Sequence, residues 1–389
     1  MNKIHYVMNL MATDPEFGFG GDGGMLPSTK FVPKKGVSVP IKAAGLNHYY
    51  QDINSDGFNA EMQVHLYGTS CSPIPVSCIA HMLDEIYYGL MSARKIAKSK
   101  GAKILVGDLV KINKRAARYA PEECWVSGCN PTLDVKTGVF KEVLPDYKKE
   151  VMTNGVPLGG HIHFIQPPFT KTGNLSEDIE QGAKFVKFAT AVALLPMIML
   201  GFNETKIKRY RMLGLGNFRL PAHGGIEMKD FSGSALGSLP MFALQYTLCR
   251  QAFGLYMYSK EAVKAITKAA PFEKIETAVM SGDLNEMDKL LSSVAKIVRQ
   301  ATHEHVNNPY HLYIHENGCA HTLKTKVPLI EFMIKNPDLF VTDDIDAGWG
   351  GFKQVRRQDK GIMSSFRSGY NTLINDKKML HARVVEFSK

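Results

Sequence analysis

Three pairs of reactive side chains stand two residues apart in this chain: Asp14 and Glu16 in "TDPEF", His161 and His163 in "GGHIHF", and Glu227 and Lys229 in "GIEMK". On a β-strand, residues so spaced share a face, roughly 6.6–6.8 Å apart. Apolar neighbours (Phe17, Ile162, Phe164, Ile226, Met228) alternate with them and would occupy the opposite face. A fourth stretch, "GFNAEMQVHLYG", puts Asn59, Glu61, Gln63 and His65 on one side. Carboxylates gathered on one sheet face repel unless a cation holds them. Their oxygens suit hard Mg2+ or Mn2+, and an imidazole is a tolerable addition. Such a metal typically bridges nucleotide phosphates. Arg209, Arg211 and Arg219 lie just upstream of Glu227 and could neutralise a phosphoryl group or bind an acidic substrate. Taken singly, each motif has an ordinary structural reading: a turn, a surface histidine pair, a solvated Glu-x-Lys face. Their combination is what points to a metal-dependent site.

The elements that must position these residues are legible in outline. "YVMNLMATDPEFGFGGDGGMLP" reads as two strands joined by a glycine-rich turn. It has no GxxxxGK[ST], so a phosphate loop is disfavoured. A helix is expected over residues 76–100, ended by Gly101. "GGHIHFIQPP" reads as a strand ended by prolines, and "LSEDIEQGAKFVKFATAVALLPMIMLGF" as a long helix capped by Asn174 or Ser176. "GNFRLPAHGGIEMKDFSG" reads as two short strands around a turn, and helices follow from Ser238. Hairpin-like strands therefore dominate the first half and helices the second. The lack of a βαβ rhythm argues against a Rossmann fold and for an α+β class.

The 389 residues, 44% of them hydrophobic, suffice for a large core. The formal charge of +10 suits an anionic partner such as a nucleotide or an acidic peptide, or simply a lysine-rich surface. No run of five Lys/Arg occurs, so no nucleic-acid arm is expected. The six cysteines (Cys71, Cys78, Cys124, Cys129, Cys249, Cys319) form no CxxC, which disfavours a zinc ribbon and suits a reducing compartment. The N-terminal stretch lacks a signal-peptide pattern. The longest apolar run, Phe188 to Phe202, contains Pro196 and reads as a buried, kinked helix rather than a membrane span. A soluble cytoplasmic protein is expected.

The order of motifs carries more than any one of them. "TDPEFGF…GGMLPSTKFVP", "DGFNAEM", "SGCNPTLDV", "LGGHIHF" and "LGNFRLPAHGGIEMKDFSG" together resemble the phage-type carboxylate–amine ligases of the glutamine-synthetase-like amidoligase superfamily, which also holds the glutamate–cysteine ligases. The resemblance covers roughly Met8 to Leu239. It implies a curved antiparallel sheet around the active site with helices outside, and a catalytic core over residues 1–260 with a mainly helical extension, 261–389, packed on it. The activity implied is ATP-dependent amide formation through an acyl phosphate, with Mg2+ or Mn2+, on carboxylate and amine substrates that could include a peptide or protein. A phage-encoded protein would act in the host cytoplasm.

By the same resemblance, Glu16, Glu61 and Glu227 are metal-binding carboxylates, with Asp14 a further candidate ligand. His161 joins the metal–nucleotide site, with His163 beside it and Gly159 and Gly160 allowing close approach. Arg219 contacts phosphate, Arg211 is a second candidate for the nucleotide, and Gly128 to Pro131 line the pocket. The superfamily pattern expected near the end is Glu-x-Arg, whereas this chain has Glu227-Met228-Lys229. Lysine keeps the charge but loses the bidentate fork. Glu227, Lys229 and Arg219 are thus the candidate catalytic residues. No serine or cysteine nucleophile is expected, Cys129 included.

Two alternatives stand beside the ligase reading: a metal-dependent hydrolase that directs the same residues at water, and a phage protein that keeps the fold without catalysis. Five histidines (His303, His305, His311, His315, His321) with Glu316 and Cys319 allow a second, zinc-type site, but packing or substrate contact explains them as well. "QVRRQDK" and "SFRSGY" read as basic loops or as a lid over an acidic substrate.

Overall fold

The computed structural model describes residues 11–34, 41–42, 50–64, 75–126, 131–164, 172–221, 224–304, 345 and 349. Its strands, in chain order, are β1 (Met11–Gly21), β2 (Gly24–Leu26), β3 (Ile41–Lys42), β4 (Tyr50–Asp56), β5 (Asn59–Gln63), β6 (Lys103–Leu105), β7 (Leu109–Val110), β8 (Thr132–Asp134), β9 (Phe140–Lys141), β10 (Val156–Pro157), β11 (Gly160–Phe164), β12 (Asn217–Arg219) and β13 (Ile226–Met228). The main sheet runs β3-β4-β5-β1-β11-β13-β12-β8-β9, with β2 and β6 also paired to β1. Every pairing between these strands is antiparallel. The α+β class expected from the sequence is therefore observed.

Alternation decides which face each strand buries. Met11, Phe17 and Phe19 of β1, Ile53 of β4, Ala60 and Met62 of β5, Ile162 and Phe164 of β11, Phe218 of β12, and Ile226 and Met228 of β13 all join one apolar core. Helices close that core from outside. Leu175–Met199 is the most apolar of them and lies buried inside the protein. Asn174 caps it by accepting a hydrogen bond from the Ser176 amide (3.1 Å), and Glu177 and Asp178 favour its positive end. The expected irregularity falls just before Pro196, as a π-turn over Thr190–Leu194. Proline cannot donate to the preceding turn and its ring crowds the carbonyl there, so the backbone widens. Phe164 fixes the sheet to both inner helices, its ring lying 4.8 Å from Phe185 and 5.8 Å from Phe253 of the helix Leu239–Tyr258.

The helices Lys260–Ala269, Phe272–Ser281 and Leu284–Glu304 add Ile266, Ile275, Val279, Met287 and Val294 to the same core. Packing is thus continuous across residue 260. On the sheet's other face, residues between 105 and 158 form a smaller apolar cluster around Phe58, Ile112, Leu144, Tyr147 and Val151. Its short strands and the helix Tyr147–Asn154 have weak periodicity, and the sequence did not announce them.

Candidate metal centre

β1 lies at the middle of the sheet, and its register assembles the site. Asp14 faces His161 of β11, and Glu16 faces Glu61 of β5. Next along the sheet, His163 faces Glu227 of β13, which faces Arg219 of β12. Antiparallel partners directly opposite each other keep their side chains on the same face. The apolar alternation that drives Phe17, Ile162 and Met228 into the core thereby drives five strands' polar residues into one cluster.

The distances are short. Asp14 Oδ1 lies 3.1 Å from His163 Nε2 and 3.5 Å from His161 Nδ1. His161 also reaches Glu227 Oε1 (3.7 Å, from Nδ1) and Glu16 Oε1 (3.9 Å, from Nε2). Lys229 Nζ is 3.1 Å from Glu227 Oε1, and Arg219 Nη1 is 3.6 Å from Glu227 Oε2. The side chains of His161, Glu16, Glu227 and Lys229 are almost wholly buried, whereas Arg219 keeps a third of its side chain exposed.

Three overlapping groups bring ligand atoms within 4.8 Å of one another: Asp14–His163–Glu227, Asp14–Glu61–His161, and Glu16–Asp56–Glu61. Their oxygen-rich chemistry, with imidazole added, fits Mg2+ or Mn2+. An independent observation agrees. Asp14 Oδ1 is buried with no hydrogen-bond partner, although two imidazole nitrogens lie 3.1 and 3.5 Å away. A buried carboxylate oxygen left that way is costly, and a cation would satisfy it.

Electrostatics follow from burial and neighbours. Burial pushes Glu16 above the usual carboxylate range, only partly offset by His161 and by the Gly159 amide, which donates to Oε2 at 2.6 Å. Burial also opposes ionisation of Asp14, but His161 and His163 outweigh it and hold its carboxyl well below the usual range. At Glu227 the opposing burial is overcome chiefly by Lys229, which keeps the acid low. A raised Glu16 binds protons more tightly in the folded than in the unfolded chain. Its contribution to stability is therefore lost as pH rises through its folded pKa. Glu16→Gln is expected to raise the metal-free melting temperature at neutral pH by roughly 1–3 °C, while weakening Mg2+ binding. Thermal scans with and without Mg2+ check both signs.

The two glycines have specific causes. A Cβ on Gly159 would stand 2.3 Å from His161 Nε2, and one on Gly160 would stand 2.6 Å from the Ser232 carbonyl oxygen. Gly159 makes room for the imidazole, and Gly160 for a neighbouring backbone, to which it also donates (Phe231 O, 2.8 Å). Close approach by a nucleotide or by neighbouring backbone was expected at this pair, and at Gly160 it is backbone that approaches. Gly159→Ala is expected to swing His161 aside and weaken metal binding about 10- to 100-fold, measurable by Mn2+ titration.

Arg211 is not brought to the site. It is exposed, and its guanidinium donates to Met280 O (2.7 Å) and Ser281 O (3.4 Å), capping the end of the helix Phe272–Ser281. Arg211→Ala is expected to leave nucleotide binding unchanged in calorimetry and to cost about 1 kcal/mol of stability. Arg209 is buried and holds the chain beyond Lys229, donating to Asp230 O (2.8 Å) and Phe231 O (2.9 Å). The Asp230 carboxylate accepts from the amides of Gly216 (2.6 Å) and Asn217 (3.1 Å), which locks β12 beside β13. Asp56 was missed by the sequence reading. It sits across the Gly57–Phe58 turn, paired with Asn59, and so on the Glu61 face. The Asp-Gly of "DGFNAEM", read as a hairpin turn, would have placed it.

An open cleft adjoins the cluster. Its lining mixes Glu16, Asp56, Asn59, His161, Arg209, Asn217 and Lys229 with Val143, Leu144, Tyr147, Pro157 and Leu213. Residues 128–130 of the expected pocket loop, the histidines from 305 to 321 and the basic stretches after 350 lie outside the described residues. Nothing in a scan of protein-family models matches the chain, nor does any curated protein match it.

Proposed function

We propose that this protein is an ATP- and Mg2+-dependent carboxylate–amine ligase with a glutamine-synthetase-like sheet. One observation carries the reading. The four residues that the resemblance assigns to a metal, Glu16, Glu61, His161 and Glu227, come from four strands and meet in one buried cluster, with Asp14, Arg219 and Lys229 beside them. Scattered over more than two hundred residues of chain, they have no local reason to meet.

The chemistry suits that cluster. A carboxylate is a poor electrophile because its oxygen leaves badly. Attack of that oxygen on the γ-phosphorus of ATP releases ADP and gives an acyl phosphate. An amine then attacks the carbonyl carbon, phosphate leaves, and the nitrogen loses its proton as the amide forms. Metal held by the Asp14–Glu16–Glu61–Glu227–His161 set would shield the repulsion between acid and γ-phosphoryl group. Lys229, fixed by Glu227, presents a cation to the transferring group, and Arg219, with a third of its side chain exposed, would turn onto phosphate oxygens. The buried setting strengthens each of these interactions.

The test is direct. Full-length protein is incubated with ATP, Mg2+ and host lysate, and ADP release and mass-shifted products are read out. Calorimetry should show Mg2+-dependent ATP binding. Absence of binding at millimolar nucleotide would sink the ligase reading, and turnover without nucleotide would favour the hydrolase.

A further inference from the structure

We infer that the end of the sheet at the β1–β2 turn is a docking surface for single-stranded nucleic acid. Residues 86–121 contain nine lysines and arginines and a single acid, Asp108, which is buried. That segment carries +8 of the chain's net +10, and every one of its cations is exposed. No run of five marks it in the sequence, because buried apolar residues such as Ala93, Ala97, Val106 and Ile112 stand between the cations. In the fold the intervals close up. β6 pairs with β1 so that Lys103 faces Gly20, and Lys103 Nζ reaches Asp22 Oδ1 in the turn (3.2 Å). Beyond β2, Lys111 O accepts from the Met25 amide and Met25 O from the Asn113 amide, each at 2.8 Å. A Cβ on Gly23 would stand 2.8 Å from Asn113 Nδ2, so this stretch packs on the turn itself. Asn113 then caps the short helix Lys114–Ala117, accepting from the Ala116 amide at 3.0 Å, and so holds Lys114, Arg115 and Arg118 close by. The end of the helix Pro75–Ser99 arrives from the β6 side. There the Ala102 amide donates to Ala97 O (2.9 Å), and Lys100 donates to Lys30 O and lies 5.5 Å from the centre of the Phe31 ring.

Like charges gathered this way repel, and a polyanion relieves them while releasing its own counterions. The acids at hand are few. Asp22 in the turn is paired with Lys103, and Glu122 and Glu123 follow the segment, Glu123 being held by Lys34. These pairs are exposed, so a phosphate can replace the carboxylate at little cost. The ring beside the cations selects the kind of polyanion. Tyr119, 80% exposed, directly follows Arg118, and no other large hydrophobic of the segment is exposed. An exposed ring next to guanidinium groups is a platform on which an unpaired base stacks. An anionic membrane would call for several apolar side chains to insert, and an acidic peptide would give the ring no partner. Duplex reading would call for a long helix laid in the major groove, whereas Lys114–Ala117 is a single turn. From Glu16 to Gly21 the strand runs about 17 Å, so nucleic acid docked beyond the turn lies clear of the metal cluster. The inference therefore does not rest on the ligase reading.

The experiment titrates the full chain into fluorescein-labelled oligo(dT) and oligo(U) and reads anisotropy over a series of KCl concentrations. Binding of at least one of them is expected, with a plot of log K against log [KCl] falling at a slope of about −2 to −3.5, as roughly three to five phosphate contacts give. Lys114→Gln, Arg115→Gln and Arg118→Gln together should weaken binding about tenfold or more and flatten the slope by about 2. Tyr119→Ala should weaken it about five- to tenfold at an unchanged slope, the signature of stacking rather than charge. Lys98→Glu, on the other basic element, should weaken it about fivefold. Lys264→Gln, Lys268→Gln and Lys274→Gln together remove the same charge from the exposed faces of Lys260–Ala269 and Phe272–Ser281 and should leave binding unchanged. All variants lie on exposed side chains, and a circular-dichroism melt checks that each is folded. No binding of either oligonucleotide, a slope shallower than about −1, or an equal loss in the distant triple variant would overturn the inference. So would duplex DNA, phosphatidylserine vesicles or polyglutamate held as tightly as the single strands.

Discussion

Glu227→Ala is expected to abolish metal-dependent ATP binding, with an affinity loss of more than about 100-fold, while the fold stays intact. Glu227 has several roles in the cluster. Its carboxylate contacts Lys229 at 3.1 Å, Arg219 at 3.6 Å and His161 at 3.7 Å, and it completes the metal-capable group with Asp14 and His163. Alanine would remove a ligand and release both cations from their shared anion. The fold should survive, because Ile226 and Met228 on the same strand stay in the core and Arg209 and Asp230 pin the chain just beyond it. Apo stability is subject to two opposing effects. Lys229 loses an ion-pair partner at 3.1 Å, which is destabilising, but Asp14 loses a like charge nearby, which is stabilising. Calorimetric titration of ATP with Mg2+, beside a circular-dichroism melt, reads both. Wild-type affinity in the variant would remove Glu227 from the site.

The second large effect is expected at Lys229. Lys229→Met should lower turnover about 10²- to 10³-fold, with a much smaller change in Mg2+–ATP affinity, the signature of a cation that matters most where charge develops. Methionine nearly matches the buried volume, so the loss would report charge rather than packing. Lys229→Arg supplies the Glu-x-Arg pattern of the superfamily and should retain turnover within about tenfold if the site accommodates the wider fork. Full activity in Lys229→Met would reduce Lys229 to an ion-pair partner of Glu227. Steady-state kinetics of ADP release, with kcat and KM separated, distinguish the two.

Much of the cluster is legible in the sequence. The period-two pattern of "TDPEF", "HIHF" and "GIEM" determined which residues share a face, because a strand turns alternate side chains to opposite sides. The same pattern named the core positions, and Phe17, Ile162 and Met228 occupy them. Helix limits were equally readable where caps are strong, as at Asn174 and Ser238. Arg211 shows where such reading stops. Its position three residues before a glycine gave no sign that its helix turns it toward Met280 rather than toward Glu227. Asp56 shows the converse, a ligand candidate visible only once the Gly57–Phe58 turn pairs it across the hairpin.

The chain by itself determined the faces, and tertiary structure alone decided the neighbours. Periodicity is a property of consecutive residues, but strand order is not. β1 and β11 are separated by more than a hundred residues, and nothing local says that Asp14 meets His161 rather than His163 across the ladder. That register is set by which apolar faces pack on the helices Leu175–Met199 and Leu239–Tyr258, since a slip of one residue would turn the carboxylates into the apolar core and Phe164 out of it. The roof that turns an acidic sheet face into a cleft was likewise a tertiary decision, because Leu144 and Tyr147 acquire a role only when the small apolar cluster folds over Glu16.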